Sequence, residues 1–144
     1  MAQARGDAGV SAENVQLARE GFDAWFRGDF DAMDEMAVED VEFVPAVAAA
    51  VEGGSVRGRD DVRRFFQSLD ETWETFRIEA DEFREIGDRV LMVGHVRAKG
   101  RGSGVELDQP MLSVVWFRDD KIARMQSFLD EEAALEAAER EAVA

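Results

Sequence analysis

The sequence predicts an α+β domain, a curved antiparallel sheet with helices packed on its concave face, forming a cone with a central pocket. The first observation behind this is the order of patterns along the 144 residues: helix, helix, short strand, helix, four strands, helix. The second is the stretch Asp88 to Asp130, whose apolar runs are bounded by turn residues, as in strands buried on both faces. The third is that the helical segments carry apolar stripes that need a sheet to cover.

Taken in order, Met1 to Val10 is small and polar and is expected to be mobile, leaving one domain over residues 11–138 and a frayed end over 139–144. Ser11 is a candidate N-cap for a first helix in which Val15, Ala18, Phe22, Trp25 and Phe26 recur at helical spacing until Gly28. Asp29 caps a second helix through about Val38, with Phe30 and Met33 inward. Val41 to Val44 reads as a short strand ended by Pro45, and Ala46 to Gly54 as a loop over the pocket mouth. Asp60 opens a third helix whose stripe is Val62, Phe65, Phe66, Leu69 and Trp73, and Phe76 to Ile86 alternates as a strand. Arg89 to Lys99, Val105 to Arg118 and Lys121 to Leu129 follow as long strands, joined by the glycine-rich turn Gly100 to Gly104 and the tight turn Asp119-Asp120. That glycine-rich turn opens no helix, so it is a hairpin connection and not a phosphate cradle. Asp130 caps the last helix, with Glu131 and Glu132 in its first turn.

Composition excludes several functions. The net charge of −15, from 32 acidic against 17 basic residues, repels nucleic acid and anionic membrane surfaces alike. No apolar run approaches a membrane span and no secretory signal opens the chain, so a soluble cytoplasmic protein is expected. There is no cysteine and only one histidine, which leaves no disulfide, thiolate nucleophile or metal site to expect. No cofactor is expected.

The phrases Gly28-Asp29-Phe30-Asp31-Ala32, Val56-Arg57-Gly58-Arg59-Asp60, Gly87-Asp88-Arg89-Val90 and Arg118-Asp119-Asp120-Lys121-Ile122-Ala123-Arg124, in this order of elements, resemble the nuclear transport factor 2-like, cystatin-like superfamily. The resemblance runs from Val15 to Ala137 and is closest to the SnoaL-like branch of polyketide cyclases and small isomerases. It implies a small-molecule-binding cone. Matched to the ketosteroid isomerases of that superfamily, the working tyrosine falls near Gly21, the base near Val44 or Pro45 and the strand acid near Ser113. All three are absent, and the chain has no tyrosine. The same matching turns Val93, His95 and Arg97 toward the cavity, with Met111, Ser113 and Val115 on the next strand and Met125, Ser127 and Leu129 on the last.

Histidine is the side-chain type whose unperturbed pKa lies near neutrality, so His95 is the candidate acid or base for proton transfer in an isomerisation, cyclisation or hydration. Arg97 or Gln109 would steady a developing oxyanion. Asp108, Gln109, Glu82 and Glu106 are open alternatives for orienting the imidazole. Phe22, Trp25, Phe43, Phe66 and Trp73 are the aromatic candidates for lining an apolar ligand pocket, with Val93, Met111, Ser113, Met125 and Ser127 from the strands. Leu112, Val114, Trp116 and Phe128 fall on the opposite face, where a homodimer packed through the convex sheet would bury them. The rival reading is a non-catalytic ligand-binding or dimeric interaction module. Epoxide hydrolysis would need two inward aspartates around an arginine, and the sequence offers no such pair.

Overall fold

Three hairpin-linked strands with a fourth before them form a meander, and everything else is placed against it. In the computed structural model, residues 2–46 and 54–139 are described, with side chains from Glu13 onward except Phe26. The pocket-mouth loop expected over Ala46 to Gly54 lies, but for its ends, outside the described residues, as do residues 140–144. The elements are α1 (Ala2–Arg27), α2 (Phe30–Met36), β1 (Ala37–Val44), β2 (Val56–Arg57), α3 (Arg59–Thr72), β3 (Trp73–Ile86), β4 (Arg89–Gly100), β5 (Glu106–Arg118), β6 (Lys121–Phe128) and α4 (Glu131–Glu139).

Local chemistry explains most boundaries. The Asp29 carboxylate accepts from the backbone N–H of Ala32 at 3.2 Å, capping α2. Asp119 and Asp120 both adopt positive φ, 56° and 62°, the conformation of a two-residue hairpin turn that matches strand twist. Several boundaries differ from the sequence expectation. Ser11 lies inside α1 and is not its N-cap, since the alanines upstream favour continued helix. The second helix stops at Met36, because Ala37 to Val44 pair in the sheet. Trp73 is the first residue of β3, not the last of a helix.

The six strands run β2-β1-β6-β5-β4-β3. The sheet is mixed where a wholly antiparallel one was expected, because β1 joins the free edge of β6 in parallel. On its concave face, α1, α2 and α3 enclose the main core: Trp25 stacks on Phe66 at 5.3 Å between ring centroids, and Phe43 lies 5.0 Å from Phe66.

The remaining helix goes to the other face. Ala134 and Ala138 of α4 pack on Leu91, Leu112 and Val114, and Arg89 donates to the carbonyl of Ala138 at 2.8 Å. Leu112 and Val114, for which the sequence suggested burial by a second copy, are thus covered within the chain. Small alanine side chains let the helix lie close, so its own short stripe suffices. Among the described residues no helix is long and apolar enough to cross a membrane.

Candidate functional site

Between the helices and the concave face lies a cavity of about 190 Å³. Phe65, Phe66 and Leu69, successive members of the α3 stripe, form one wall. Trp73, Phe76 and Ile78 of β3 and Val96 of β4 form the next. Leu107, Gln109 and Met111 of β5, Ser127 of β6, Phe43 of β1 and the following Pro45, Ala46 and Leu129 complete it. Gln109 and Ser127 are the polar side chains among these lining residues, and among the described residues no titratable side chain lines the cavity.

Strand register decides which residues can reach this space. Residues directly opposite on neighbouring strands share a face. Val96 pairs with Ile78 on one side and Gln109 on the other, Met92 with Ser113, and Ser113 with Ser127. The inward set of β4 is therefore Val90, Met92, Gly94 and Val96. Val93, His95 and Arg97 point to the opposite face, which corrects the expected alternation. The physical reason is one residue of turn length. A five-residue turn over Gly100 to Gly104 would set Lys99 opposite Val105, but Gly100 donates to the Val105 carbonyl at 2.7 Å and Lys99 pairs with Glu106. That single step moves every side chain of β4 to the other face relative to β5.

On the outer face His95 pairs through Nδ1 with the carboxylate of Asp81 at 2.9 Å, with 42% and 55% of the two side chains exposed. Asp81 was not among the expected partners. It is the extra residue of a β-bulge between Ala80 and Glu82, which turns its carboxylate toward His95. Alternation alone does not reveal a bulge. Arg97 lies 3.5 Å from Glu79 and 3.6 Å from Asp108, also outside.

Of the residues proposed from sequence, Phe43, Phe66, Trp73, Gln109, Met111 and Ser127 line the cavity. Ser113 stands directly behind Ser127, their hydroxyls 2.8 Å apart. Met125 and Trp25 are buried in the core around it, 1% and 2% exposed. Phe22 sits with Phe83 in a separate groove between α1 and β3. Phe65, Leu69, Phe76, Ile78, Val96 and Leu107 line the cavity although sequence reasoning did not select them. Phe65 and Leu69 were legible as members of the α3 stripe; the others needed the register.

At Gly21, where the ketosteroid isomerase tyrosine would fall, a Cβ would come within 2.6 Å of the Ile122 side chain. A larger residue there would have to displace the end of the Ile122 side chain. The model of the SnoaL-like domain matches residues 18–125. The chain belongs to the SnoaL-like domain family. No curated protein matches this SnoaL-like chain in sequence.

Solved structures share the fold. Bal32a, from a soil-derived mobile gene cassette, superposes with a TM-score of 0.75 at 20% identity, over 91% of this chain and 99% of that one. A nuclear transport factor 2-like protein of unknown function from Burkholderia pseudomallei K96243 gives 0.72 at 22% identity, over 89% and 98%. TerC, crystallised with polyporic acid, gives 0.71 at 22% identity, over 88% and 98%. At these identities the likeness establishes the nuclear transport factor 2-like fold. SnoaL-like membership carries the coarse expectation of a small-molecule-binding domain, and the detail rests on the cavity itself.

Proposed function

We propose that this SnoaL-like domain binds a small apolar molecule, of about one substituted ring, in the concave cavity, and that binding rather than proton transfer is its function. The observation that carries this reading is the lining: among the described residues, apolar side chains with Gln109 and Ser127, and no titratable group. A general acid or base must come within hydrogen-bond reach of its substrate. His95 is separated from the cavity by the sheet, so the isomerase, cyclase or hydratase reading loses the residue it was built on. The volume of about 190 Å³ is comparable with engineered apolar cavities of about 150 Å³ that take up benzene. It suits a single ring better than a polycyclic metabolite. TerC, of similar fold, was crystallised with polyporic acid, which supports ligand binding as a use of this architecture.

The test is thermal unfolding in the presence of α-methylstyrene and related monocyclic compounds, for the natural protein and for Met111→Trp, which fills the cavity. A ligand that binds the folded state raises the midpoint by mass action. The midpoint should rise for the natural protein and stay fixed for the variant. An equal rise in both, or no rise with any compound, overturns the proposal.

A further inference from the structure

The hydroxyls of Ser113 and Ser127 set the polarity of the cavity floor. The two residues sit opposite each other on β5 and β6, with their Oγ atoms 2.8 Å apart. Two hydroxyls bring two protons, and the bond between them uses one. Ser113 is 0% exposed and sits beside Met92, so a proton left over on it would be a buried donor without an acceptor, which folded proteins avoid. Ser127 is 6% exposed and lines the cavity. The arrangement that strands no proton has Ser113 donating to Ser127 and Ser127 presenting its own O–H to the cavity.

From this we infer that the ligand carries a hydrogen-bond acceptor of the carbonyl type, bound at its inner end by the Ser127 hydroxyl, with Ser113 as the positioning residue behind it. This rests on the cavity-binding reading above. Phe43, Phe66 and Met111 line the same cavity, in which Gln109 is the other polar side chain among the described lining residues, and the low dielectric of apolar surroundings strengthens a bond to the ligand. Gln109 lies four residues along β5 from Ser113, roughly 13 Å away at strand rise, and serves the opposite end. The site selects ketone, aldehyde or ester groups over hydrocarbon of the same shape.

The experiment compares acetophenone with α-methylstyrene, in which a =CH₂ group replaces the carbonyl oxygen. Dissociation constants are measured by NMR titration for the natural protein, Ser127→Ala and Ser113→Ala. Ser127→Ala should weaken acetophenone about fivefold, the usual net worth of one hydrogen bond, and leave α-methylstyrene within about twofold. Hydrocarbon binding to the variant also certifies that it has folded. Ser113→Ala should bring no gain for acetophenone, because Ser127 already donates to the cavity. Equal effects of Ser127→Ala on the two compounds overturn the inference while leaving the cavity reading in place. A gain for acetophenone in Ser113→Ala overturns it as well, since it would mean that Ser127 had been donating to Ser113. Failure of α-methylstyrene to bind the natural protein overturns the cavity reading and the inference with it.

Discussion

Successive residues of β4 belong to two different environments. Val90, Met92 and Val96 face the helices and the cavity; Leu91 packs under α4, and beyond it His95 and Arg97 join an exposed network with Asp81, Glu79 and Asp108. The cavity on the inner face is lined, among the described residues, by apolar side chains with Gln109 and Ser127 and by no titratable one, while the outer face holds the residues that look like chemistry. A single histidine on an apolar strand attracts a catalytic reading. Here the register assigns it to the face opposite the cavity, and the inner face keeps the features of a binding site.

The most disruptive way to break this comparison is at Gly94, where β3 and β4 approach so closely that a Cβ would lie 2.1 Å from the Glu79 carbonyl oxygen. Gly94→Val should destabilise the fold by about 3 kcal/mol, read by urea unfolding, because backbone must move to admit it. Leu91→Ala isolates the outer face. It should cost about 3 kcal/mol by removing a fully buried side chain beneath α4 while leaving ligand response intact.

His95→Ala should have a much smaller effect, under about 1 kcal/mol, because its pair with Asp81 is substantially exposed. Ligand affinity should not change, and a severalfold loss measured by titration would return the histidine to the site. The smallest expected effect is with pH. The Ala32 N–H and Arg27 hold the Asp29 carboxyl below its ordinary value, and Arg118 does the same for Asp40. A lowered folded value means that this stabilisation is present above the ordinary carboxylate range and is lost as pH falls through the folded values. Acid unfolding midpoints should therefore move slightly upward in Asp40→Asn, where one such contribution is gone.

The parts of the fold legible from the sequence are those set by local chemistry. Asp29 capping α2, the Asp119-Asp120 turn and the α3 stripe of Val62, Phe65, Phe66 and Leu69 follow from residue type and period alone. Three features depended on distant partners. The parallel placement of β1 beside β6 is a choice of edge and direction, which no local pattern encodes. The docking of α4 on the outer face turns on Ala134 and Ala138, too small to advertise which surface they meet. The face of His95 turned on whether one residue, Gly100, belonged to the turn or to β4. Because both faces of β4 are largely apolar near its centre, its composition gave no check on that register, and the error carried Val93 and Arg97 with it. The cavity residues proposed from β5 and β6 came from the family matching and not from the hairpin: a register shift between Trp116 and Phe117 sets Ser113 opposite Ser127, where the two-residue turn alone would set it opposite Gln126.

The central claim is that the ligand enters the concave cavity and leaves the outer face untouched. The most direct test is an NMR titration with α-methylstyrene, observing methionine methyl groups labelled with carbon-13 together with the His95 ring and the Trp116 indole. The Met111 methyl should shift in a saturable way while the His95 and Trp116 signals stay fixed. Saturable movement at His95 with Met111 unmoved would contradict the account and put the ligand on the other side of the sheet.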